Sequence, residues 1–555
     1  MTVIGIHRMR GRLGRPGVVG GCAASLAAFV LVALLTAVAI GCSKYSPPAT
    51  TGGNGPRILL RGVGPEPDSV DPQRAQSTEA QNVLRDLCEG LTSLDHDASV
   101  IPGVAQEWTI SPDRLIYEFH LRPDARWSNG DAVVAGDFVA GFRRLLNPAT
   151  AATYAQVLDV IENAREILKG TAAPDSLGVI ATDESHLTIR LTAPTPYLLG
   201  LLAHPSTCPI HRGSTDAQAA KLAGGISNGA FVLKEWVHGS HLFATRNRYY
   251  WNDAKTRLDG VRYVTVDDEN AELLRYRAGE LHVTASIPRS RLQEIRALYP
   301  DQVHGAPVLW TEFYGLNLSR PPFKNDPKLR RALSLVIDRE KLVDGILHGA
   351  AVAAYGWVPP GVANYSAQSF DYNTTPMTVR IAEARRLYRE AGYSVAHPVR
   401  FELRYNQAPI LKEVAIAVSS MWREALGADV TLTAVEFKVL IAEIEGGETD
   451  AFRSSWSADY DDAYTYIGYL TSGFGINLPR YGNVEYDALA ERARVEPDEN
   501  RRRQWLQEAE SIALRDTALI PLYFHTSRHL VSPRIDGWYD NRMNIVYSKD
   551  LALRD

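Results

Sequence analysis

The stretch that most limits what this chain can fold into runs from Phe401 to Val435. Phe401-Glu-Leu-Arg-Tyr405 alternates as a strand, Leu411–Leu426 carries a helical apolar period closed by Gly427, and Val430–Val435 is a second β-branched run. Strand, helix and strand in that order pair two strands in parallel, and a parallel sheet needs helices over its faces. A helical pattern over Phe437–Glu445 and a strand over Asp450–Trp456 extend the unit. The prediction is an α/β protein of mixed sheets flanked by helices. Ligands of open α/β sheets lie beyond the carboxyl ends of the strands. That rule marks Asn406 after the first strand and Ser457–Asp459 after the last.

The segment from Asp450 to Leu470 sharpens the point. Trp456, Tyr460, Tyr464, Tyr466 and Tyr469 crowd into it beside Arg453 and Asp459. Aromatic walls with one fixed cation and one fixed anion suit a cavity for a ligand bearing both charges. The competing reading is a core strand with an Arg453–Asp459 bridge. The place of Asp459 past a strand end favours the cleft.

The length of 555 residues leaves room for several domains, and 59 basic against 64 acidic residues give a net charge of −5. That balance argues against a nucleic-acid binder working by bulk charge. The N-terminus reads as an address: Arg8, Arg10, Arg12 and Arg15 precede an almost uncharged run from Val18 to Ile40, then Gly41 and Cys42. The alternative is an uncleaved anchor, since the run is long enough to span a membrane. A Ser/Pro/Thr/Gly tether, Ser46–Gly55, follows. Cys88 and Cys208 alone remain beyond the leader, and they either pair or stand as two buried thiols. No cysteine or histidine spacing suggests a metal, and no nucleotide or cofactor fingerprint is present.

Further elements are predicted in order: a strand over Ile58–Val63, a helix over Ala80–Gly90, a meander over Gly103–Arg126 and a helix over Asp137–Leu146. Helices over Pro327–Ile337 and Arg339–Leu347 are capped by Asp326 and Asp338, and Arg501–Leu514 is another. Ile520–His525 reads as a strand returning to the first lobe. Gly225-Ile-Ser227-Asn-Gly229 fits G-x-S-x-G, but a strand pattern follows it where a nucleophile elbow needs a helix. Ser227 is therefore expected to be structural. Asp461 and Asp462 are expected to be solvated or to cap the helix that follows.

The run G-V-A-Q-E-W-x(8)-Y-E-F-H-L-R-P-D-A-R-W-S-N-G-D-x(4)-G-D-F, from Gly103 to Phe138, resembles the signature of the extracellular solute-binding proteins of the peptide/nickel group, and within it the oligopeptide branch. The resemblance continues through Asn228–Trp236, Asn247–Asn252, Tyr314–Asn317, Ala458-Asp459-Tyr460 and Ile520–Tyr523. Gly41-Cys42 likewise resembles a lipobox, which implies a signal peptide over 1–41 and lipidation of Cys42. The family implies a two-lobed, periplasmic-binding-protein-like fold of type II. Lobe I is expected over 57–308 with an inserted subdomain at about 90–205, lobe II over 309–519, and a return to lobe I over 520–555. It also implies a non-enzymatic, monomeric binder of peptides, free of cofactor and metal, that serves an ABC permease.

Residue by residue, the resemblance gives Asp459 the peptide α-ammonium and Arg453 the carboxylate of some peptides. Ser455, Trp456 and Ser457 offer backbone to the peptide main chain, and Tyr154 and Asn406 match further ligand positions. The chain departs from the family at Ser455, usually glycine, at His525, usually tyrosine, and at Leu411, often histidine. Rival expectations are a binder of dipeptides, murein peptides or a nickel chelate, a peptide-sensing or chaperone lipoprotein, and a secreted serine hydrolase acting through Ser227.

Overall fold

The structure, a computed structural model, describes residues 55–214, 225–473 and 476–554. The leader, the tether and Cys42 lie outside the described residues, as does the stretch just before Gly225.

Two sheets organise the described chain. The first has four strands, in the order Ile58–Gly64, Gly260–Thr265, His241–Arg246 and Phe231–Val237. Ile58–Gly64 runs parallel to Gly260–Thr265 and the other neighbours are antiparallel. The helix Thr78–Leu87 packs on this sheet through Val83, Leu84 and Leu87, which share a core with Leu59, Phe231 and Tyr263. Ser77 starts that helix, its hydroxyl accepting from Ala80 N–H at 3.1 Å.

A separate apolar core gathers residues from Leu91 to Leu202. It lies against a four-stranded sheet ordered Ala105–Ile110, Ile116–Leu121, His186–Arg190 and Val179–Ala181, with the helix Ala135–Leu146 supplying Phe138 and Phe142. This is the inserted subdomain. Cys88, at the end of the Thr78–Leu87 helix, is bonded to Cys208, with Cα atoms 6.1 Å apart. The pairing that the sequence leaves open is thus made, and it ties the helix to the segment that leaves the insert.

The second main sheet has six strands, ordered Ala351–Ala353, Leu519–Thr526, Pro307–Leu316, Ala451–Ser457, Arg400–Asn406 and Asp429–Val435. The predicted strand–helix–strand unit is there: Arg400–Asn406 pairs in parallel with Asp429–Val435, and the helix Pro409–Leu426 covers them with Val414, Val418 and Trp422. Alternation divides the side chains between two cores. Tyr314 and Ala451 face the Trp422 side, while Phe313 and Phe452 face a second cluster with Trp357, Tyr466 and Tyr469.

One strand differs from expectation. Leu519–Thr526 does not return to the first lobe but pairs on both sides within the six-stranded sheet. A strand buried on both faces reads as one apolar run whichever sheet it joins. The crossing comes just after it: Ser527 N–H donates to the Ala306 carbonyl at 2.9 Å, and a Cβ on Gly305 would sit 2.2 Å from the Ser527 oxygen. Val531, Ile535, Val546 and Leu551 then enter the core of the first sheet. The predicted helix over Arg339–Leu347 is a short α-helix, Arg339–Lys341, that widens into a π-turn over Leu342–Ile346. Among the described residues no helix is long and apolar enough to cross a membrane.

Candidate functional site

The strand Ala451–Ser457 is held in register against Pro307–Leu316, with Trp310 opposite Ser457 and Glu312 opposite Ser455. Ala458 N–H still reaches the Leu309 carbonyl at 2.8 Å, and the chain then leaves the sheet. Asp459 therefore stands just past the carboxyl end of the strand, where the topology predicts a ligand. It lines a cavity of about 1060 Å³ together with Tyr154, Trp310, Trp456, Ser457 and Tyr460. A second cavity of about 320 Å³ adjoins it, and the two share Asp459, Tyr460, Tyr197, His204 and Arg85.

Asp459 is part-buried and has no hydrogen-bond or ion-pair partner among the described residues. Burial alone, with no cation to offset it, pushes its carboxyl up to about 7. Its neighbours in sequence are committed. Asp461 pairs with Arg542 and accepts from Ala363 N–H at 2.9 Å. Asp462 takes both arms of Arg502, at 2.6 and 2.8 Å, and accepts from Tyr464 N–H at the start of the short Tyr464–Ile467 helix. Asp462 thus serves the helix that follows it, as expected, whereas Asp461 is neither solvated nor a cap, because Arg542 sits against it.

The aromatic residues of the segment divide by role. Trp456, Tyr460 and Tyr464 face the main cavity. Tyr197, which precedes the short Leu198–Leu201 helix, stacks between Tyr460 and Tyr464 at centroid distances of 4.6 and 5.4 Å. Tyr466 turns into the core, where its carbonyl accepts from Trp357 Nε1 at 2.7 Å.

Arg453, Asn406 and His525 form a second group. Arg453 donates to both oxygens of Glu312 and, at 3.2 Å, to Asn406 Oδ1; His525 Nε2 lies 3.2 Å from the same Glu312 carboxylate. Burial would raise Glu312, but Arg453 and His525 outweigh it and hold the carboxyl below its usual value. The Arg453–Asp459 bridge is absent. Trp310 stacks on His525 at 4.1 Å, so this cluster lies directly behind one wall of the main cavity. Of the predicted residues, Tyr154, Trp456, Ser457 and Asp459 line the cavity, while Arg453 and His525 meet at Glu312 and Asn406 joins them through Arg453. Ser455 sits on the strand between the two groups, opposite Glu312.

Two residues escaped the sequence reading. Glu312 interrupts the apolar run P-V-L-W-T-E-F-Y-G-L, and a carboxylate in a doubly buried strand is itself a signal, since it requires a cation. Arg85 projects from the Thr78–Leu87 helix beside Tyr154 and His204, whose rings are 4.9 Å apart. Burial and the adjacent Arg85 push His204 down to about 3, so it is neutral. Burial and Asp459 push Tyr154 up to about 12.

Ser227 is buried, and its hydroxyl lies within hydrogen-bonding reach of the backbone oxygens of Leu87 and Phe231, sharing its single proton between them. The strand Phe231–Val237 follows it, as expected, and the hydroxyl stitches this turn to the end of the Thr78–Leu87 helix. Among the described residues no group of three or more His, Cys, Asp or Glu side chains is placed to hold a metal ion.

Two sheets with separate cores and a cavity at the strand ends define a two-lobed ligand-binding protein, and sequence comparison gives the class its name. Residues 99–477 match the family model described as bacterial extracellular solute-binding proteins, family 5. The chain belongs to that family. It is 36% identical over 498 residues to the probable deoxycholate-binding periplasmic protein YgiS of Escherichia coli, covering 88% of this chain and 92% of the relative. It is 34% identical to the periplasmic oligopeptide-binding protein OppA of the same organism, over 87% of this chain and 90% of the relative. The solved murein tripeptide-binding protein MppA of E. coli superposes with a TM-score of 0.80 at 33% identity, covering 90% of this chain and 99% of that one. Such relatives are solute-binding proteins rather than enzymes.

Proposed function

We propose that the protein is an exported, lipid-anchored binder of oligopeptides that delivers them to an ABC importer. The observation that carries the reading is the uncompensated carboxylate of Asp459 on the wall of a large cavity. An ammonium is the ligand group that such a carboxylate favours, because it supplies the charge the protein withholds. An extended peptide laid along the free end of the Ala451–Ser457 strand satisfies its main chain through Ser455, Trp456 and Ser457, whatever its side chains. Asp459 takes the α-ammonium, and the lobes close about the two crossings near Ala306 and Ser527. The leader and Cys42 support export and membrane attachment, and the relatives named as periplasmic binding proteins support the same address.

The relative named for deoxycholate suggests an anionic amphiphile instead. Asp459 weighs against it, since a ligand carboxylate placed there would meet a like charge. Calorimetric titration of wild type and Asp459→Asn with free and N-acetylated peptides tests the proposal. Either change is expected to weaken binding by about 3–5 kcal/mol, by stranding one partner of a buried pair. The two changes together should add little, since each breaks the same contact. Equal affinities in all four pairings, or tight binding of deoxycholate but not peptide, would overturn it.

A further inference from the structure

The cavity carries a second uncompensated charge, of opposite sign. Four arginines line the main cavity, and three are paired: Arg165 with Asp159, Arg494 with Glu491 and Arg542 with Asp461. Arg85 has no carboxylate partner among the described residues. Its Nε is buried without a hydrogen bond, and its Nη1 donates only a long hydrogen bond to Asn82 Oδ1, at 3.4 Å. The carboxylates next to it in sequence are engaged elsewhere. Asp86 accepts from Tyr263 Oη at 2.7 Å and Ser548 N–H at 2.8 Å, and Glu89 from Tyr250 Oη and Trp251 Nε1, both at 2.6 Å. The carbonyl end of the Thr78–Leu87 helix favours a cation in its last turn, which helps to explain why Arg85 is tolerated there. It does not supply an anion.

Arg85 borders both cavities, as Asp459 does, and the two do not pair with each other. Tyr154 lines the main cavity with them, and its hydroxyl feels the charge of both. We propose that Arg85 is a specificity residue that receives a carboxylate on the first side chain of a peptide whose ammonium sits on Asp459. This rests on the peptide reading above and goes beyond it by naming a class of peptide, those beginning with an acidic residue. In an extended ligand the first side chain leaves the backbone beside the ammonium, and an aspartate or glutamate there carries its carboxylate into the part of the cavity that Asp459 and Arg85 both line. Arg453, the cation first expected to read a ligand carboxylate, is already neutralised by Glu312, which leaves that task to Arg85.

The experiment is calorimetric titration of the mature protein with two tetrapeptides that differ only in glutamate or glutamine at the first position. Wild type is expected to bind the glutamate-first peptide about tenfold more tightly, the size of one added charge-assisted hydrogen bond. In Arg85→Gln that ratio should fall to about one while the glutamine-first peptide keeps its affinity within about threefold; Arg85→Lys should retain part of the preference, because it retains the charge. A wild-type ratio near one, or a ratio unchanged in Arg85→Gln, overturns the proposal and leaves peptide binding standing. Failure of both peptides to bind wild type overturns the peptide reading and this proposal together. Should Arg85→Gln not fold, the wild-type ratio and its retention in Arg85→Lys still decide.

Discussion

The Arg453 guanidinium is bound to both carboxylate oxygens of Glu312 on the neighbouring strand, and Glu312 is only 1% exposed. A pair this deep exists because each charge answers the other; removing one strands its partner away from water.

Glu312→Ala and Arg453→Ala are therefore each expected to lower the unfolding free energy by about 3–5 kcal/mol, with or without peptide. A double replacement by apolar residues of similar size, Glu312→Leu with Arg453→Met, should recover much of the loss. Urea denaturation of the four proteins checks this. Losses below about 1 kcal/mol in both single variants would mean that the pair is screened by water, as surface pairs are.

Asp459 predicts the opposite behaviour. Its carboxyl is raised from 3.8 to about 7 by burial, so between those values the unfolded chain loses its proton first and stability falls as pH rises. Asp459→Asn should match wild type near pH 4 and exceed it by about 1–4 kcal/mol at pH 7.5, the lower figure applying if cavity water screens the charge. Ligand reverses the sign. A bound ammonium favours the ionised carboxylate, so peptide affinity should rise with pH towards 7, with close to one proton released on binding at pH 6. Above about pH 8 the peptide's own amine loses its charge and the advantage fades. Titration in buffers of different ionisation heat measures the protons directly.

These two residues also show how far the chain can be read before its fold is known. The strand ends carrying Asn406 and Asp459 were legible, because a strand–helix–strand pattern dictates parallel pairing and a parallel sheet dictates where ligands go. The partner of Arg453 was not. Asp459 lies six residues away in sequence, whereas Glu312 reaches Arg453 only through antiparallel pairing across 141 positions. Period-two alternation predicts which face a side chain takes, not which strand lies beside it. The same limit applies to Leu519–Thr526, whose apolar run fits either sheet, and to Arg85, which reads as an ordinary polar-face residue until the carboxylates around it are seen to be engaged.

The Cys88–Cys208 bond closes a loop of 120 residues, which contains the inserted subdomain, and joins the helix of Arg85 to the segment of His204. Restricting so long a loop in the unfolded chain is worth about 2–5 kcal/mol. The Cys88→Ser, Cys208→Ser double variant should therefore unfold at lower temperature. A reductant should shift wild-type protein towards that temperature and leave the variant where it is. Identical melting of the two proteins under oxidising conditions would show that packing alone holds the two segments together.

Tyr197 is the remaining link across the cavity. It lies beside the core of the inserted subdomain, yet its ring is stacked between Tyr460 and Tyr464, which follow the Ala451–Ser457 strand of the six-stranded sheet. Tyr460 also rests on Gly200, where an added Cβ would come within 3.3 Å of the Tyr460 Cβ. An aromatic pair contributes about 0.5–1.5 kcal/mol beyond its burial, so the sandwich is a non-specific clasp next to a specific anchor. Tyr197→Ala should weaken every peptide by about the same factor, roughly five- to 150-fold for two such pairs. The loss should appear mainly in the dissociation rate, because the stacked rings must part before an enclosed ligand can leave. The preference between free and N-acetylated peptides should survive, since Asp459 is untouched. Stopped-flow release of a fluorescent peptide separates the cases. Faster release with unchanged selectivity fits a clasp, and a changed selectivity would instead place Tyr197 against the ligand.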